Sequence, residues 1–105
     1  MKILTEILQQ KYNLLNLKEI ANVVMDSRKV KENSLFFAIN NGNNYIDEVL
    51  EKGATLVIAD NYLGSDKRVI KVEDTIVAMQ ELARDYRKAL KLVIIGITGS
   101  NGKTT

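Results

Sequence analysis

The sequence predicts an α/β fold of two or three layers, built on a sheet that is at least partly parallel. Short apolar segments such as SLFFAI and TLVIAD alternate with segments whose apolar residues recur every three or four positions. Strands that alternate with helices along a chain are typical of this class. The chain has 105 residues, of which 46% are hydrophobic and 27% charged, which indicates a small globular fold.

The first half of the chain predicts a helix, two strands and a second helix. Apolar residues at helical spacing predict a helix over residues 3–11. A short strand should end near Asp26, and SLFFAI predicts a buried strand that leads into the asparagine-rich loop NNGNN. YIDEVLEKGA then predicts a helix, which Gly53 ends in the left-handed conformation.

The second half predicts two strands, TLVIAD and VIKV, and a long helix that Asp74 or Thr75 caps. Its apolar stripe should face the core and comprises Ile76, Met79, Ala83, Tyr86 and Leu90. KLVIIGI follows as a strand. We expect one domain over residues 1–90 and the start of a second over 91–105, because an apolar strand follows a polar helix there.

Composition excludes several classes of site and partner. The 15 basic and 13 acidic residues are spread along the chain, so we expect no nucleic-acid partner. The chain has no histidine and no cysteine, which excludes thiolate catalysis, imidazole bases and zinc sites built from these ligands. The longest apolar run is too short to cross a membrane. We therefore expect a cytoplasmic protein without a membrane partner. We also expect a monomer.

The chain ends in GITGSNGKTT, which has the chemistry of a phosphate-binding loop. Glycines turn backbone N–H groups toward an anion, a lysine reaches the β- and γ-phosphates, and a threonine hydroxyl binds Mg²⁺. The spacing departs from the general G-x-x-x-x-G-K-[ST] pattern. A bare turn is the alternative, since turns use the same residue types.

The form G-x-T-G-S-N-G-K-T-T, from Gly96 to Thr105, resembles the ATP-binding signature of the Mur ligases, which build the peptide of peptidoglycan. The resemblance implies ATP and Mg²⁺ as cofactors. It also implies that Lys103 neutralises phosphate charge and that Thr104 binds the metal, as the catalytic residues. The implied ATP-binding residues are Gly99, Ser100, Asn101, Gly102, Lys103, Thr104 and Thr105.

Asp26-Ser27-Arg28, followed by KVKENSLFFAI, is similar to a segment in the N-terminal domain of the same family. There, D-[ST]-R precedes G-D-L-F-x-A, and the domain holds the uridine diphosphate end of a UDP-MurNAc-peptide. Asp26, Ser27 and Arg28 are thus implied substrate residues. From the residues alone, Arg28 suits either a diphosphate or an ion pair with Asp26 or another nearby carboxylate, and Asp26-Ser27 suits a strand-end turn.

The family also carries a longer loop, G-x-x-x-D-G-H-like, where this chain has NNGNN. Asn41, Gly42 and Asn43 are the candidates to replace its substrate contacts. The alternative is that the asparagine amides satisfy the turn's own backbone.

Within the family, DTIVAMQELARDYRKAL followed by GITGSNGKTT is most similar to members that add D-alanyl-D-alanine to UDP-MurNAc-tripeptide. Members that add the third amino acid, lysine or diaminopimelate, are the alternative. A small binding domain with an unstructured glycine-rich tail is the rival from another class. In the family interpretation we expect this chain alone to be inactive.

Overall fold

Three α-helices and four β-strands make up the part of the chain described by the structure, a computed structural model that describes the backbone of residues 1–98 and the side chains of residues 1–92. In chain order these are α1 (Lys2–Lys11), β1 (Asn22–Val24), β2 (Ser34–Ala38), α2 (Ile46–Glu51), β3 (Leu56–Ala59), β4 (Val69–Lys71) and α3 (Thr75–Thr98). Two 3₁₀ helices, Ser27–Lys29 and Asn40–Tyr45, follow β1 and β2.

The four strands form one parallel sheet in the order β1-β2-β3-β4. Val24 lies opposite Phe36, and Leu35 lies opposite Leu56. Because all strands run in one direction, their carboxyl ends meet at a single edge of the sheet. The loops that follow the strands are therefore brought together at that edge.

The sheet is covered by helices on both faces, which confirms the predicted α/β class in its three-layer form. Every residue of β2 and β3 is buried, as expected for parallel strands covered on both sides. The alternation of side chains along these strands supplies both cores. The face toward α2 presents Phe36, Ala38, Val57 and Ala59, and the face toward α1 and α3 presents Leu35, Phe37, Leu56 and Ile58.

Two predicted helix boundaries are confirmed. Gly53 follows α2 with φ of 97°, and a Cβ at this position would lie 3.2 Å from Glu32 Cα. At the start of α3, the Asp74 side chain accepts hydrogen bonds from the backbone N–H groups of Ile76 and Val77, at 2.9 and 3.2 Å. Asp74 is thus the capping residue of the two candidates.

The predicted core stripe of α3 is wrong by about one position. Thr75, Ala78 and Leu82 are buried, whereas Ile76 and Leu90 are exposed. Met79 and Tyr86 of the predicted stripe are partly buried, and Ala83 is exposed. The reason is that the small side chains of Thr75 and Ala78 let the helix approach the sheet closely, although they add little to a hydrophobicity pattern.

The strand predicted for residues 91–97 is also wrong, because α3 continues to Thr98. A strand needs a neighbouring strand for its backbone hydrogen bonds, and the four-stranded sheet does not include this segment. A helix forms these bonds within itself. Although α3 has 24 residues, no helix within the described residues is both long and apolar enough to span a membrane.

The position of the buried face of α3 can be tested with two matched substitutions. Leu82 is 2% exposed and Leu90 is 36% exposed. Leu82→Ala should lower the free energy of unfolding by about 2–5 kcal/mol, because it removes buried methyl groups and leaves a cavity. Leu90→Ala should lower it by less than about 1 kcal/mol. Urea unfolding measures both, and an equal loss from Leu90→Ala would contradict this packing.

Candidate functional site

A hollow of about 580 Å³ lies at the carboxyl edge of the sheet, beside the ends of β1 and β2. Its lining residues come from the turn after β1, the 3₁₀ helix after β2 and the first turns of α2. We call it the β1–β2 hollow, and it is lined by Met25, Asp26, Ser27, Arg28, Gly42, Tyr45 and Glu48. Four of the six predicted substrate residues therefore lie together.

Asp26 and Arg28 form a two-pronged ion pair at this edge. Arg28 Nε donates to Asp26 Oδ1 at 3.1 Å, and Nη2 donates to Oδ2 at 3.0 Å. The Arg28 backbone N–H also donates to Asp26 Oδ1, at 2.9 Å, so that Asp26 caps the Ser27–Lys29 turn. Both structural alternatives stated from the sequence, the ion pair and the strand-end turn, are present.

This pairing changes the acidity of both groups. Hydrogen bonds from the Arg28 side chain and then from its backbone N–H lower the pKa of Asp26 from 3.8 to about 2. The same side-chain bond raises the pKa of Arg28 above its ordinary value. Both groups therefore stay charged across the physiological pH range.

Ser27 lies between the paired residues and is held through its backbone. Lys52 Nζ from the end of α2 donates to the Ser27 carbonyl oxygen at 3.0 Å. Asp26 and Arg28 use their side chains on one another. Within the described residues, this leaves the Ser27 hydroxyl without a hydrogen-bond partner and able both to donate to and to accept from a ligand.

The three candidates from NNGNN have different surroundings. Gly42 lines the hollow, and Asn41 is exposed outside its lining. Asn43 is turned away: its Nδ2 donates to the Asn40 carbonyl at 2.9 Å and to Asp60 Oδ1 at 3.2 Å. Its Oδ1 accepts from the Asn61 N–H at 3.3 Å. For Asn43, the alternative that the amide satisfies local structure is the arrangement found.

Sequence reasoning did not find Met25, Tyr45 and Glu48 as lining residues. Met25 follows the apolar residues of β1 directly, so the sequence pattern does not distinguish it from a residue of the strand. Tyr45 is the N-cap residue of α2, and Glu48 lies outside its buried face, which is Ile46, Val49 and Leu50. Both are exposed, and no motif in the sequence marks them.

A second hollow, of about 490 Å³, lies at the opposite edge, where residues such as Asn33, Thr55 and Arg68 precede the strands. The guanidinium group of Arg68 donates to both carboxylate oxygens of Asp66 through Nε and Nη2, and its Nη1 donates to the Leu50 carbonyl at 3.2 Å. Open parallel sheets bind ligands at the carboxyl ends of their strands. The β1–β2 hollow is therefore the better candidate site.

The predicted ATP- and Mg²⁺-binding residues, 99–105, lie outside the described residues. Their assignment remains a prediction from the sequence motif. Among the residues that are described, no three acidic side chains lie close enough together to hold a metal ion.

The Asp26–Arg28 pair predicts the titration of Asp26. With a folded-state pKa of about 2, below the ordinary 3.8, the pair's stabilising contribution is present above pH 4 and is lost as the pH falls toward 2. Carboxyl ¹³C NMR should give a midpoint near 2. Arg28→Gln should raise it toward 3.8, because the guanidinium bonds are lost while the backbone N–H bond remains. Asp66, which Arg68 also holds at about 2, is the internal control and should not move. An unchanged Asp26 midpoint in the variant would contradict the pairing.

Asn43 should contribute to stability through its three hydrogen bonds. Asn43→Ala should lower the free energy of unfolding by about 1 kcal/mol, because the bonds are partly exposed and only their net contribution is lost. Asn44→Ala, at the exposed neighbouring position, should change it by less than about 0.5 kcal/mol. Chemical unfolding compares the two. Equal effects would show that the amide of Asn43 does not hold the loop.

Comparison with known proteins finds many sequence relatives, two of which represent the two kinds of ligase among them, although no family model matches the chain. The chain is 37% identical over 102 residues to a UDP-N-acetylmuramoyl-L-alanyl-D-glutamate–2,6-diaminopimelate ligase from Rickettsia bellii, covering 97% of this chain and 21% of that protein. It is 36% identical over 93 residues to a UDP-N-acetylmuramoyl-tripeptide–D-alanyl-D-alanine ligase from Bacillus subtilis, covering 82% and 20%.

A solved structure supports the same relationship. The MurF ligase from Thermotoga maritima in complex with ADP matches with a TM-score of 0.59 and 29% identity, over 69% of this chain and 18% of that one. The chain thus spans about a fifth of the length of the relatives it matches. Over nearly its whole length, the chain is a homologue of the Mur ligases, the family that its sequence motifs resemble.

Proposed function

We propose that this chain is the part of a Mur ligase that binds the uridine end of a UDP-MurNAc-peptide and begins the ATP site. One observation carries the proposal: Asp26, Ser27, Arg28 and Gly42 meet in one hollow at the ligand-binding edge of a parallel sheet. Both curated relatives carry UDP-N-acetylmuramoyl substrates in their names. In this proposal the Ser27 hydroxyl bonds the nucleotide there.

The proposed reaction of the whole ligase is the formation of an amide. The terminal carboxylate of the substrate peptide takes the γ-phosphoryl group of ATP, which releases ADP and forms an acyl phosphate. The amine of the acceptor then attacks the acyl carbon and inorganic phosphate leaves. We assign phosphate neutralisation to Lys103, the metal contact to Thr104, and the phosphate cradle to the backbone N–H groups of residues 99–102. The relatives are about five times as long as this chain, so catalysis also needs residues beyond these.

For the acceptor, we propose D-alanyl-D-alanine. The sequence resemblance over the last helix and Ser100, the Bacillus subtilis relative and the likeness to the Thermotoga maritima MurF ligase support this choice. The second candidate is diaminopimelate or lysine. The most similar sequence relatives, such as the Rickettsia bellii and Aquifex aeolicus proteins, mostly carry 2,6-diaminopimelate in their names and favour it.

The proposal also divides the chain into two domains. We propose that residues 1–90 form the substrate-binding domain and residues 91–105 begin the ATP-binding domain. The family resemblance further supports a monomer that works in the cytoplasm, without a nucleic-acid or membrane partner.

An activity assay on the full ligase tests the acceptor. We expect ADP release when UDP-MurNAc-tripeptide, D-alanyl-D-alanine and MgATP are all present, and no release when the dipeptide acceptor is omitted. UDP-MurNAc-dipeptide with diaminopimelate or with lysine is the matched alternative. Turnover with that pair alone would establish the second candidate.

Calorimetry and activity assays test the assignment of substrate binding and of ATP turnover to different parts of the ligase. The 105-residue chain should bind UDP-MurNAc-tripeptide and should not turn over MgATP. In the full ligase, Lys103→Ala should reduce ATP-dependent turnover by about 100-fold or more, because an uncompensated phosphate charge remains in the transition state. Its affinity for UDP-MurNAc-tripeptide should not change. ATP turnover by the short chain, or a Lys103→Ala enzyme of full activity, would contradict the assignment.

A further inference from the structure

One wall of the β1–β2 hollow is a segment with little regular structure to hold it in place. This wall is the 3₁₀ helix Asn40–Tyr45, which contributes Gly42 and Tyr45 to the lining. Hydrogen bonds in 3₁₀ helices have poorer geometry than those in α-helices, and runs longer than three or four residues are uncommon. This one has six residues and begins at Asn40 with a left-handed φ of 51°. Its position therefore depends on the elements around it.

The segment that follows β3 forms hydrogen bonds to this wall. Asn43 Nδ2 donates to Asp60 Oδ1 at 3.2 Å, and the Asn61 backbone N–H donates to Asn43 Oδ1 at 3.3 Å. Within the described residues, Asn43 is the residue of the 3₁₀ helix whose side chain bonds to another element in this way. All three bonded residues lie outside the lining of the hollow. The wall is thus held from the side that faces away from a ligand.

The Asp60 carboxylate is itself anchored to the body of the fold. It directly follows β3, an interior strand of the sheet whose residues are all buried. Its Oδ2 accepts a hydrogen bond from the backbone N–H of Thr75 at 3.1 Å. Thr75 is fully buried and is the first residue of α3, where the helix dipole also favours a negative charge. One oxygen of Asp60 therefore binds the helix, and the other binds the wall of the hollow.

We propose that Asp60 is a positioning residue for the UDP-MurNAc-peptide substrate. It does not touch the substrate; it fixes Asn43, and through Asn43 it fixes the 3₁₀ helix that carries Gly42 and Tyr45. A wall that is already in place raises affinity, because less conformational freedom is lost when the ligand binds. Asn43 thereby contributes to substrate binding although its amide faces away from the hollow. This inference rests on the proposed function for the substrate and for the hollow as its site.

Steady-state kinetics of the full ligase test the role of Asp60. Asp60→Asn keeps the shape of the side chain but turns an NH₂ group toward one of the two N–H donors. We expect the KM for the UDP-MurNAc-peptide to rise by about fivefold or more, the equivalent of one net hydrogen bond. The kcat and the KM for ATP should not change. A fall in kcat, or an equal rise in the KM for ATP, would show a general structural role and would overturn the inference.

A cycle of two substitutions separates the two bonds of Asp60. Asn43→Ala removes the bond to the wall and leaves the bond to Thr75, so it should also raise the KM for the UDP-MurNAc-peptide. The double variant should show less than the product of the two single effects, because both substitutions break the same connection. Asp47→Asn, which removes an exposed carboxylate from the first turn of α2, is the control for loss of charge and should change no constant. An unchanged KM in Asn43→Ala, or fully multiplicative effects, would show that Asp60 serves α3 alone and would overturn the inference.

The unsubstituted ligase distinguishes failure of this inference from failure of the proposed function. If it turns over a UDP-MurNAc-peptide and neither Asp60→Asn nor Asn43→Ala changes the KM for that substrate, the inference fails and the proposed function stands. If it turns over no UDP-MurNAc-peptide, both fail. Thermal unfolding verifies that each variant is folded before the kinetics are measured, and Asn43→Ala decides the question by itself if Asp60→Asn does not fold.

Discussion

The constraint on which the structure depends is that a short parallel sheet must be covered on both faces. Parallel strands are joined by connections that pass over the sheet, and their side chains alternate between two cores. In this chain the two cores meet in β2 and β3, where every residue is buried. With both faces occupied by helices, the two ends of the strands remain accessible, and open parallel sheets bind ligands at the carboxyl ends.

That edge is fixed by bonds between side chains and backbone. Asp60, just after β3, accepts from Asn43 Nδ2 at 3.2 Å through Oδ1 and from the Thr75 N–H at 3.1 Å through Oδ2. It thereby joins the loop after β2 to the first residue of α3. On the other side of the hollow, Lys52 holds the Ser27 turn. The elements that line the candidate site are thus held from both sides, which favours a preformed binding surface.

The sequence predicted the parts of this fold that follow from strong local patterns. SLFFAI is a continuous apolar run, Gly53 has a position that requires a left-handed backbone, and Asp74 precedes a long helix. The predictions failed where contacts between distant parts of the chain determine the structure. The buried face of α3 is set by the close approach of Thr75 and Ala78 to the sheet, and residues 91–97 are apolar enough for either a strand or a helix. The substrate motif located Asp26–Arg28, but the orientation of the Asn43 side chain depends on Asp60, 17 residues away.

The central claim is that the hollow at the carboxyl edge receives the nucleotide end of a UDP-MurNAc substrate. Mapping of backbone amide NMR shifts on addition of UDP-MurNAc-tripeptide tests this most directly, since it locates the contact without any substitution. The claim predicts shifts concentrated at residues 25–28 and 42–48. Shifts concentrated instead around residues 14–18 and 53–56, at the amino edge of the sheet, would contradict it.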